Sequence, residues 1–248
     1  MVICAVLSSG CGRAPDLETL QKFQQAEQDF VEATTPDDYF RVANLYQVIL
    51  DHGFVSGTVL FNQGNALMRA DQRGRAIAAY QQAKRYRPRD PYLDANLRNA
   101  LGSNASGAAR SSIRRYVLFW QDWLSYREKF SLTTATLGLT LLFRLVARLL
   151  ANGRLLKRLV LPIALFTLAM GVSTAYDWYR FDAITYGVIV QHETVARKGN
   201  SKNYEQAFTV PLAEGTEFEL LERRDDWLLI HVSQAGKGWI PAYSAAVY

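Results

Sequence analysis

Cysteine is almost missing from this chain. The two present, Cys4 and Cys11, stand at the extreme N-terminus. No disulfide framework and no cysteine metal site can therefore form in the rest of the sequence. Histidine is nearly as scarce, with His52, His192 and His231 dispersed and lacking a clustered acid or thiol. There is no phosphate-binding Gly-rich loop, no His-Glu-x-x-His and no Gly-x-Ser-x-Gly. The expectation is a protein that is not an enzyme, with no cofactor and no metal. Basic helices and aromatic-basic ladders are also missing, which argues against nucleic acid as a partner. The formal charge is +5 over 248 residues. Several of the positive charges sit in or beside an apolar region, a placement that suits a membrane surface.

What is present changes character along the chain. The first segment, 1–15, begins with MVICAVLSSGCG, short, apolar and ending in small residues. It resembles the end of a secretory signal, and Ser9-Gly10-Cys11 resembles a lipoprotein cleavage site. Cys11 is the lipidation candidate. No basic stretch precedes this run, and Leu7 lies one residue too far upstream for the usual pattern.

Residues 16–101 read as helices. In FNQGNALMRADQRGRAIAAYQQAKRYRPRDP the spacing of Gly64, Ala76, Tyr80, Ala83 and Pro88 controls how closely two helices approach. Gly64 and Ala76 are small at the crossing, Tyr80 fills the space beside it, and Ala83 keeps the next unit close. Pro88 stops the second helix. Gly74 is expected in the turn between the two. These residues resemble the markers of the tetratricopeptide repeat (TPR), a 34-residue helix–turn–helix unit. The best repeat spans 57–90, with Leu60, Gln63 and Leu67 departing from the large-residue pattern. A degenerate unit precedes it, with helices near 17–33 and 37–52 and a start at Pro36-Asp37-Asp38. A capping helix is expected from Pro91 to Leu101, ended by Gly102. The resemblance implies a groove lined by Phe61, Asn65, Met68 and Arg69, with Asn96 from the next helix, that takes a peptide. The basic residue such grooves place at the Phe61 position is missing.

A small-polar linker and an interfacial helix are expected over 102–130, where Tyr116, Phe119, Trp120 and Trp123 recur on one helical face. Two apolar segments follow, at 131–151 and 159–177. The run from Leu159 to Tyr176 is uncharged and about 27 Å long as a helix, close to the hydrocarbon thickness. The first segment carries Arg144 and Arg148 near its end, where long side chains reach the interface. The basic loop 152–158 between them is expected on the cytoplasmic side, with both flanking domains outside. Arg114, Arg115, Arg127 and Lys129 on the far side weigh mildly against that orientation. A buried hairpin in a soluble protein is the other reading.

From 183 to 248 short alternating runs separated by turn residues predict a small β module. Leu-Ala-Glu-Gly-Thr-Glu-Phe-Glu-Leu-Leu (212–221), Asp226-Trp227 and Gly238-Trp239-Ile240-Pro241 resemble the landmarks of a bacterial SH3-like domain. Trp227, Trp239 and Tyr243 are candidates for an exposed aromatic surface, with core packing the alternative for both tryptophans.

The expected fold class is thus multidomain, α then β: a TPR α-solenoid, a two-helix transmembrane hairpin and a small SH3-like β-barrel. That order of parts, with Phe61-Asn62-Gln63-Gly64-Asn65-Ala66 and Gly238-Trp239-Ile240-Pro241, resembles the BatE-type proteins of bacterial aerotolerance operons. The resemblance implies a scaffold in the inner membrane with its TPR and SH3-like domains on the periplasmic side. Its implied partners are a MoxR-type ATPase and membrane proteins with von Willebrand factor A domains. Binding to peptidoglycan through the SH3-like module is the alternative.

Overall fold

A computed structural model describes residues 15–102, 119–149, 154–233 and 235–248. The signal-like segment with Cys11, most of the linker with Tyr116, Arg114 and Arg115, and residues 150–153, which include the start of the basic loop, lie outside the described residues. The chain forms two compact units, one from residues 1–110 with 185–248 and one from 111–184.

The first unit opens with five helices: α1 (Leu17–Glu32), α2 (Pro36–Asp51), α3 (Gly57–Arg69), α4 (Arg73–Tyr86) and α5 (Pro91–Leu101). Their starts follow from local chemistry. Asp16, Thr35, Ser56 and Asp90 each accept a bond from a first-turn backbone N–H, satisfying donors that have no intrahelical partner. At α2 the cap is reciprocal: Thr35 Oγ1 accepts from the Asp38 N–H while the Asp38 carboxylate accepts from the Thr35 N–H, and Pro36 occupies the first helical position. These bonds hold the Asp38 carboxyl below its ordinary range, led by the Thr35 side chain.

Helices α3 and α4 cross at Gly64, where an added Cβ would lie 2.4 Å from the Tyr80 ring. Tyr80 fills that space, 1% exposed. The break between the helices falls at Asp71, whose φ is 57°. Gly74 does not serve the turn as expected; it is the second residue of α4. Its missing side chain serves a longer-range contact. A Cβ there would lie 2.4 Å from the carbonyl oxygen of Ile189 in the β module.

That module contains β1 (Thr185–Ile189), β2 (Glu193–Thr194), β3 (Leu212–Ala213), β4 (Glu217–Arg224), β5 (Trp227–Val232), β6 (Gly236–Pro241) and β7 (Ala245–Val247). Five strands form one antiparallel sheet in the order β6-β5-β4-β1-β7, and β2 pairs with β3. Arg224 pairs with Trp227 across a two-residue turn in which Asp225 takes φ 52°, a conformation aspartate tolerates better than most residues. Successive residues of a strand face opposite ways, and β1 uses both faces. Ile189 joins Phe218, Leu228, Ile230 and Ile240 in the sheet's own core. Val188 joins the helical core with Ile77 and Tyr80, and Ala246 and Tyr248 pack against it. Helical array and sheet therefore share one body.

The second unit holds a short α6 (Phe119–Trp123), then α7 (Tyr126–Leu149) and α8 (Arg154–Trp178), with a π-helical turn at Tyr179–Ala183. Helices Tyr126–Leu149 and Leu156–Ala183 are long and apolar enough to cross a membrane. The first begins before 131. Arg154, Lys157 and Arg158 belong to α8, where the sequence reading has a loop. Pro162 lies inside α8.

Candidate functional site

The first candidate is a concavity between α1, α2 and α3. Its volume is about 350 Å³, and it is lined by Glu27, Phe30, Val31, Tyr46, Asn62 and Asn65. That lies at the small end of the range for ligand sites. Glu27, Phe30 and Val31 stand three and four residues apart, so one face of α1 supplies them. Val31 is 84% exposed although it lines an apolar wall. Tyr46 is buried in the floor, where burial raises its hydroxyl pKa and Asn62 bonds it.

Glu27 is the one acid in this lining. It is half-buried, and burial pushes its carboxyl above the ordinary value. No ion pair joins it to a cation among the described residues. Arg69 stands nearby but is engaged elsewhere. Its guanidinium lies 5.0 Å from the Phe30 ring centroid and 5.2 Å from that of Tyr39, and Nη1 donates to the Tyr39 hydroxyl at 2.8 Å.

Of the groove residues expected from the sequence, Asn65 lines the concavity and Arg69 borders it through Phe30. The other three sit differently. Asn65 Oδ1 accepts from the Tyr80 hydroxyl and from Asn96 Nδ2, both at 2.8 Å. Asn65 and Asn96 thus hold each other and Tyr80. Phe61 packs on Tyr80 and under Arg87. Met68 packs against the helical core. Glu27, Phe30, Val31 and Asn62 carry no repeat marker. The signal for them was the i, i+3, i+4 stripe on α1 and Asn62 three residues before Asn65.

The aromatic candidates of the β module do not form one exposed surface. Tyr243 is 69% exposed, Trp227 is half-buried and Trp239 is buried. Arg224 lies over the Trp239 ring at 5.3 Å, and the Arg197 backbone bridges to it in both directions.

The second unit carries a polar cluster that the sequence reading did not join. Lys129 Nζ donates to Asp177 Oδ2 at 2.5 Å and to the Gln121 carbonyl at 2.7 Å. The Gln121 side-chain amide donates to Asp177 Oδ1 and accepts from the Ser173 hydroxyl. Both charged side chains are almost wholly buried. Thr133 and Thr174 continue the seam with hydroxyls 3.4 Å apart. Such a pair is costly to break because the surviving charge has no water to turn to.

No group of three or more metal-ligating side chains lies together among the described residues. The class is a five-helix array with a docked antiparallel sheet, accompanied by two apolar helices. No family model matches the chain, and no curated protein or solved structure matches it either.

Proposed function

We propose that this chain is a membrane-anchored, non-catalytic scaffold that binds protein partners through its helical array and its β module. The observation that carries this reading is the open concavity across α1 and α3 in a body accompanied by two span-length apolar helices. The helical array is read as a TPR pair with a capping helix. The fit of Tyr80 against Gly64 supports that reading, since it is the close crossing the repeat needs. The antiparallel sheet with its short β2–β3 ribbon is read as an SH3-like module.

The arrangement of parts supports a BatE-type protein in an envelope complex with a MoxR-type ATPase and von Willebrand factor A proteins. The orientation rests on charge. Arg144, Arg148, Arg154, Lys157 and Arg158 fall toward one end of the hairpin in sequence, which supports a cytoplasmic location for that end. At the other end Lys129 is neutralised by Asp177. The burial of Trp239 leaves less aromatic surface for a cell-wall ligand, which favours protein partners over peptidoglycan.

A photo-crosslinking residue at Val31 tests the reading in intact cells. The expected products are adducts with membrane proteins bearing von Willebrand factor A domains. Adducts confined to wall fragments, formed only from a probe at Tyr243, would overturn it. Protease added outside spheroplasts should cut the β module; its protection would overturn the orientation.

A further inference from the structure

The concavity has a property that neither the repeat pattern nor the scaffold reading requires. Its walls are apolar and its one charge is negative. Glu27 stands between Phe30, Val31 and Tyr46, half-buried, with no cation joined to it among the described residues. A desolvated carboxylate costs free energy unless a partner compensates it. The neighbouring turns of α1 bury Phe23 and Ala26, and among the described residues no hydrogen bond or ion pair ties the Glu27 side chain to another helix.

The surroundings define what would complete it. A cationic side chain reaching Glu27 would lay its aliphatic stem along Phe30 and Val31, as long basic side chains do on apolar surface. The amides of Asn62 and Asn65 lie on the α3 side of the same hollow. Asn65 Oδ1 is taken by Tyr80 and Asn96, so its amide N–H group is what it offers to a peptide carbonyl. Arg69 is outside the lining and is held by the Phe30 and Tyr39 rings and by the Tyr39 hydroxyl. It neither fills the hollow nor neutralises it.

We infer that the concavity takes an extended peptide segment that inserts a lysine or arginine against Glu27, with an apolar residue beside it on Val31. This rests on the scaffold reading and narrows it: the partner's docking segment is basic and apolar, not acidic and not a free carboxyl terminus.

The test uses the full chain in detergent micelles and capped hexapeptide pools, each with one fixed residue: lysine, arginine, norleucine or glutamate. Binding is read by fluorescence anisotropy. The lysine and arginine pools should bind roughly tenfold or more tighter than the norleucine pool, the worth of a charge-assisted hydrogen bond. Glu27→Gln should abolish that preference while leaving norleucine binding in place. Val31→Ser should weaken all pools. Binding without a basic preference, or a preference that survives Glu27→Gln, would overturn the inference and leave the groove a peptide site. Failure of every pool would remove both the inference and the groove reading. Loss of self-association in Glu27→Gln, with no pool bound, would assign the hollow to a second copy and overturn the inference.

Discussion

The Glu214 carboxylate accepts a hydrogen bond from the backbone N–H of Gly74 at 2.7 Å, across 140 residues of chain. Helix α4 has no side-chain cap of its own. The β module supplies one from outside, placing negative charge where the helix dipole favours it. Gly74→Ala should therefore unseat the sheet, because the Ile189 carbonyl oxygen cannot give way as a flexible side chain would. A loss of roughly 1–3 kcal/mol is expected, with calorimetry showing a lower and broader transition than that of the parent. Glu214→Ala should cost less, about 1 kcal/mol. Unchanged melting in Gly74→Ala would mean that the sheet is not seated on α4.

Gly64 faces a different neighbour. A methyl group there meets the buried Tyr80 ring, so Gly64→Ala should destabilise the helical array by about 1–3 kcal/mol. Tyr80→Phe keeps the ring and removes the hydroxyl's bonds to Asn65 and Asn96, for a loss of about 1 kcal/mol. Chemical denaturation of both variants should rank them in that order, and the reverse ranking would refute the packing described.

Glu27 should show a stability change opposite to its effect on binding. Burial raises its carboxyl above the ordinary value of 4.5, so the folded chain holds the proton more tightly than the unfolded chain. Stability from this group is then lost as pH rises from the ordinary value through the raised one. Among the described residues no cation offsets the burial that raises it, and Arg69 lies over the Phe30 ring. Glu27→Gln should melt higher than the parent at neutral pH. The gain should vanish below about pH 4, where both side chains are neutral. A variant that melts lower at neutral pH would show that the carboxylate has a structural partner.

The buried pair in the second unit should be less tolerant of single changes than of a double change. Lys129→Met or Asp177→Leu alone strands one charge, at a cost of roughly 3 kcal/mol or more. Lys129→Met with Asp177→Leu should recover most of that loss. Engineered cysteine crosslinking between α7 and α8, measured against temperature, would report it. Single variants that behave as the parent would place water or another partner at the seam.

Much of the helical architecture was legible because it is local. Pro36 with Asp37 and Asp38, and Pro91 followed by Gly102, bracket helices within a turn of where they run. The crossing at Gly64 was legible because the repeat spacing encodes it. The use of Gly74 was not, since its partner is an Ile189 carbonyl that no short-range pattern specifies. Lys129 read as one more positive charge on the far side of the spans, and Asp177 fell at the last position of the second apolar segment. Their pairing depends on the register of α7 against α8. In the groove, Asn65 stood at a position that the repeat resemblance implies for a peptide, whereas Glu27 on an amphipathic helix resembles any solvent-facing acid. Trp239 was left open between surface and interior because Arg224, which covers it, comes from another strand.

One body is built from chain on both sides of the apolar hairpin, residues before 110 and after 185. That connectivity acts as a parity condition. A crossing by α7 alone or α8 alone would strand Gly74 and Glu214 in different compartments. If either helix crosses, both must. The chain also cannot finish its first domain until residues 185–248 are made: Val188 and Tyr248 stay missing from a core whose other members were synthesised long before. A ribosome halted after the second apolar helix would leave a helical array with an uncapped α4 and an open apolar face.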